Sequence, residues 1–113
     1  MLTSNHISAV SRQRRILIQY DAADPQELFG ADMQAWLRYR FDYLDEPGHQ
    51  VDTVFWDIGW GNCAVYPSQV LPPTRNPGLR KWLDAGTDWV RILVNESHRR
   101  GLEAFWHHRI SEV

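Results

Sequence analysis

An alternation between two hydrophobic periods constrains this chain most. Short apolar runs that fit strands occupy residues 15–21, 51–59 and 102–110, and longer segments with helical spacing separate them. A connection of helix length returns the next strand parallel to the last. The order β-α-β-α-β therefore predicts an α/β fold built as a parallel unit.

The helical segments carry their own signals. From residue 31, Met33, Trp36, Leu37, Phe41 and Leu44 recur at spacings of three and four, and Pro47-Gly48 closes the pattern. Leu79, Trp82 and Leu83 open a second stripe. Gly86-Thr87 offers an interruption, with Thr87 as a cap, before Trp89, Val90, Leu93, Val94 and Ser97 resume the face. His98, Arg99 and Arg100 suit the carboxyl end of a helix, and Gly101 reads as a left-handed stop. Residues 60–78 hold Gly61, Pro67, Pro72, Pro73, Pro77 and Gly78 and predict a long loop, of a length usually tied to function or disorder. Residues 1–14 show no sustained period. They are expected to be a flexible lead-in to a folded unit at 15–113.

Period two sorts the strand residues. Ile16, Ile18 and Tyr20 oppose Leu17, Gln19 and Asp21. Val54, Trp56 and Ile58 oppose Thr53, Phe55, Asp57 and Gly59. Ala104, Trp106, His108 and Ile110 oppose Glu103, Phe105, His107 and Arg109. Each strand thus has a mainly apolar face and a face that turns polar near its carboxyl end. A (β/α)8 barrel uses strands this way, with helices on one face and a lumen on the other. Such a barrel needs about 250 residues, so 113 residues match about its first three strands.

On that arrangement Asp21, Asp57, His107 and Arg109 converge at the carboxyl rim, where α/β proteins place their sites. The alternative is that they are solvated residues opening loops. His107 and His108 are adjacent and point to opposite faces of a strand. No HxH or HExxH spacing is present, so no metal is expected, although Asp21, Asp57 and His107 could form a mixed ligand set. Gly59-Trp60-Gly61 lacks the other glycines of a phosphate loop, and no GxSxG elbow occurs. No cofactor is expected. The single cysteine, Cys63, excludes an internal disulfide.

A net charge of −2 with scattered Arg and Lys gives no electrostatic argument for nucleic acid or an anionic membrane. No apolar run is long enough for a membrane span. The polar, basic first fifteen residues lack the apolar stretch of a signal peptide, so a cytoplasmic location is expected from the start as written. Core packing is the ordinary use for six tryptophans, but a flat indole face also covers the apolar C–H groups of a sugar, and Trp60 is placed in a loop for that role.

Three segments carry a resemblance. The run Val51-Asp-Thr-Val-Phe-Trp-Asp57, the segment Ala64-Val-Tyr-Pro-Ser68, and Glu96-Ser-His-Arg-Arg-Gly-Leu-Glu103 leading into Phe105-Trp-His-His-Arg-Ile110 resemble the amino-terminal part of glycosyl-hydrolase-like family 10 proteins. The resemblance covers residues 15–113 but only the first third of such a barrel. It implies a carbohydrate-active enzyme in which two carboxylates from later strands cleave the glycosidic bond. Asp21, Asp57, His107 and Arg109 would then position sugar hydroxyls, with Trp60 or Tyr66 stacking on the ring. A segment of this kind is expected to be inactive by itself and to associate through exposed strand edges. A stand-alone α/β binding module and a metal-dependent hydrolase are the alternative readings.

Overall fold

A computed structural model of the protein describes residues 1–21, 32–60 and 62–109, with Asp21, Ile58, Gly59, Trp60 and Arg109 described by their backbone alone. The three apolar runs form one parallel sheet of β1 (Ile16–Asp21), β2 (Val51–Trp60) and β3 (Glu103–Arg109), in the order β1-β2-β3. Helix α2 (Met33–Asp45) connects β1 to β2. Helices α3 (Pro77–Asp84) and α4 (Trp89–Arg99) connect β2 to β3. The β-α-β-α-β order and parallel pairing are those expected from the two periods.

All three connecting helices pack on one face of the sheet. Trp36, Leu37, Phe41 and Leu44 of α2, Leu79 and Trp82 of α3, and Trp89 and Leu93 of α4 form one buried cluster with Val54 and Trp56. Ile18, Tyr20, Ala104 and Trp106, from the same sheet face, pack against it. Neighbouring parallel strands in chain order, with every connecting helix on the same side, form an α/β unit. Tryptophan supplies much of this core. The Trp36 and Trp89 rings lie 4.3 Å apart, and those of Trp82 and Trp89 4.8 Å apart. Trp56 donates its indole N–H to Ser97 Oγ at 3.1 Å, and Ser97 donates onward to the Leu93 carbonyl at 2.7 Å.

Helix ends follow local chemistry. Asp32 caps α2 by accepting from the Ala35 N–H at 2.9 Å. Asn76 caps α3 by accepting from Gly78 and Leu79, and Pro77 occupies the first turn, where its missing N–H costs nothing. Pro77 and Gly78, assigned to the loop from sequence, therefore open a helix. Asp88, not Thr87, caps α4: its carboxylate accepts from the Arg91 N–H at 3.0 Å. Gly101 takes φ +73°, the left-handed stop expected after the last turn.

Within the lead-in at 1–14, Ser4–Ser11 form α1, started by the Thr3 hydroxyl accepting from His6 N–H at 3.3 Å. None of its residues is buried, which is why no apolar period announces it. The long loop after β2 is partly packed. Ala64 and Pro73 form an isolated bridge, and Ala64, Val65 and Thr74 are buried. Among the described residues, no helix is long and apolar enough to cross a membrane.

Candidate functional site at the carboxyl rim

The face of the sheet turned away from α2, α3 and α4 is built in rows. Parallel register sets Leu17 beside Thr53 and Thr53 beside Glu103. The next row on this face is Gln19, Phe55 and Phe105, and the last is Asp21, Asp57 and His107. The rows change character from the amino end of the strands to the carboxyl end.

The amino-terminal row is tied down by charge. Arg14 donates to both oxygens of Glu103, from Nε at 2.5 Å and from Nη2 at 2.7 Å, and the Thr53 hydroxyl donates to the same carboxylate at 3.2 Å. The hydrogen bonds from Arg14 hold the Glu103 carboxyl below the ordinary carboxylate range against a small opposing effect of burial. Arg14 also donates to the Ala9 carbonyl at 3.1 Å, which ties α1 to this face. The middle row is aromatic. Phe55 and Phe105 stack with centroids 4.8 Å apart and planes at 13°, and Phe105 is 38% exposed.

The carboxyl row is the candidate site. Asp57 is buried at 3% exposure, while the His107 side chain is 46% exposed. His107 Nδ1 lies 3.5 Å from Asp57 Oδ2 and 3.4 Å from Gln19 Nε2. Neither contact uses Nε2 of His107. A buried carboxylate at one ring nitrogen of an exposed imidazole is an arrangement suited to binding hydroxyl groups or moving a proton.

The sequence-selected residues divide into groups. Asp57 and His107 are brought together, and the Asp21 backbone takes the third place in their row. Arg109 pairs with Trp60 one step further on, after a register shift between Asp57 and Trp60. Trp60 ends β2 rather than opening the loop. The side chains of Asp21, Trp60 and Arg109 lie outside the described residues. Tyr66 is elsewhere. It is half-buried and lines a cavity of about 610 Å³ with Leu71, Val94, Trp106 and His108. Trp106 and His108 leave β3 on the face opposite His107, so Tyr66 does not share a surface with the Asp57 row. The opposed directions of His107 and His108 are those expected from alternation.

Gln19 was sorted onto the correct face but not singled out. Its place two residues before Asp21 was the available signal. Among the described residues, no group of three or more His, Cys, Asp or Glu could hold a metal ion. Comparison with protein-family models, characterised proteins and solved structures returned no match to this chain.

Proposed function

We propose that this chain is the substrate-positioning part of a carbohydrate-active (β/α)-barrel protein related to glycosyl-hydrolase-like family 10, and that it is inactive towards glycosidic bonds by itself. The observation that carries this reading is the row formed by Asp57 and His107 at the carboxyl ends of adjacent parallel strands, with Gln19 in reach. Carboxylate, imidazole and amide groups together can accept from and donate to the vicinal hydroxyls of a sugar. The stacked Phe55–Phe105 pair next to that row gives an apolar surface suited to sugar C–H groups. The acid and nucleophile or base of a glycosidase would come from further strands.

Titration of the isotope-labelled chain with gluco-, xylo-, manno- and chito-oligosaccharides tests this reading. At least one series should shift the resonances of Gln19, Asp57 and His107, and His107→Ala should abolish the shift. If no series moves the rim, the carbohydrate reading is wrong.

A second reading has its own observation. Leu17 is 52% exposed and Phe105 38% exposed on the face turned away from α2, α3 and α4, and β1 and β3 are the outer strands of the sheet. Outer strands beside exposed apolar side chains favour self-association. Sedimentation at several concentrations separates an associating module from a monomer. Phe105→Glu should dissociate it if this face is the contact.

A further inference from the structure

We propose that His107 is a proton acceptor held by Asp57 in the Nδ1–H form, which makes the carboxyl rim a proton-transfer site and not only a binding surface. The inference rests on the carboxyl rim being the working end of the sheet.

The geometry supplies the argument. Asp57 Oδ2 lies 3.5 Å from His107 Nδ1, and Asp57 is nearly inaccessible to water. A carboxylate facing the bare lone pair of Nδ1 in a dry environment would be repelled, so the hydrogen belongs on Nδ1. Gln19 is compatible with that form, because a half-turn of its amide sets Oε1, an acceptor, against the same N–H. Asp57 therefore selects the tautomer and Gln19 accommodates it, and the basic lone pair is placed on Nε2 of a half-exposed ring.

The consequence is a base with an orienting partner, the logic of a histidine fixed by a buried carboxylate. When a hydroxyl of water or of a sugar approaches Nε2, its O–H bond breaks and an N–H bond forms. The oxygen keeps the electron pair. The imidazolium that results faces the Asp57 carboxylate through its Nδ1–H. Return of that proton from Nε2 to the oxygen regenerates the neutral imidazole. Asp57 acts through His107 and is a positioning residue.

Long-range ¹H–¹⁵N correlation of the imidazole nitrogens in the full chain decides the point without any substitution. His107 should appear with Nδ1 protonated and Nε2 bare. Free imidazole side chains favour the opposite tautomer, so an Nε2–H signal for His107 overturns the proposal. Asp57→Asn should return His107 to the Nε2–H form and slow its carbethoxylation by diethyl pyrocarbonate several-fold, read by peptide mass. An Asp57→Asn chain that keeps the Nδ1–H form removes Asp57 from the role. The outcome is distinct from that of the oligosaccharide titration. An Nδ1–H signal in a chain that binds no sugar sinks the carbohydrate reading and leaves the proton acceptor standing.

Discussion

The guanidinium carbon of Arg100 lies 4.1 Å from the centroid of the Phe41 ring, so the end of α4 is seated on the middle of α2 by a cation over an aromatic face. The same guanidinium donates to Asp45 Oδ1 at 2.7 Å and to Glu96 Oε2 at 2.7 Å. One nearly buried side chain thus clamps both helices just before β3. Arg100→Ala should destabilise the chain by about 1–2 kcal/mol, because it removes the cation–π contact and the tie between Asp45 and Glu96, although Glu96 keeps Arg99. Arg100→Lys should recover only part of that loss, since a single ammonium cannot reproduce the planar fork. Urea denaturation at neutral pH measures both.

Acid should unfold the protein through three carboxyls. Arg100 holds Asp45 below its ordinary value. Burial pushes Glu96 upward, but hydrogen bonds from Arg100 and Arg99 outweigh it and bring the net shift down. Arg14 lowers Glu103. Folded-state values that are depressed mean that the unfolded chain takes up protons first as pH falls. The stabilisation is complete above the ordinary carboxylate range, is lost as pH drops below about 4.5, and is gone once the folded carboxyls protonate. Denaturation midpoints measured from pH 6 to pH 2 should fall across that window. Arg100→Ala should reduce the slope, because Asp45 then loses its guanidinium while Glu96 keeps Arg99 and Glu103 keeps Arg14.

The Tyr20 phenol should ionise late. Burial raises its pKa to about 12, against a smaller opposing effect of the Arg40 charge. Its ring stacks on Trp56 at 4.8 Å, and its hydroxyl donates to the Arg40 carbonyl at 3.1 Å. Between the ordinary value of 10.0 and the folded value, the unfolded chain loses a proton that the folded chain retains, so stability falls as pH rises there. Tyrosinate absorbance should show one of the four tyrosines titrating late, and Tyr20→Phe should remove that late step.

The Trp89 ring is 2% exposed and touches both Trp36 and Trp82, so Trp89→Ala should cost about 3–5 kcal/mol. Its indole N–H meets no hydrogen-bond acceptor among the described residues. Trp89→Phe therefore leaves no acceptor stranded and should cost less than the alanine variant by the ring contacts it keeps. Thermal unfolding of the two variants side by side tests the ordering.

Much of the fold was legible because alternation is a local signal. Val54 and Trp56 read as one face and Phe55 and Asp57 as the other, and the parallel register then placed Asp57 next to His107 without further information. Gly101 was legible because few residues other than glycine tolerate φ +73°. Asp88 was missed as a cap because Thr87 beside it has equivalent chemistry, and only the backbone turn chooses between them. Pro77 was misread because proline serves loops and first helical turns equally well. Tyr66 could not be assigned a face, since a loop without a period carries no directional information. Helix α1 was invisible because its only signal is a single capping hydroxyl.

The grip of Arg14 on Glu103 joins positions 89 residues apart in the chain. A contact of that span closes only after nearly every intervening residue has been made. During synthesis Arg14 therefore has no carboxylate of β3 to grip until β3 leaves the ribosome. The β1–α2–β2 portion must wait with its aromatic face bare, and its protection in the cell falls to whatever holds nascent chains.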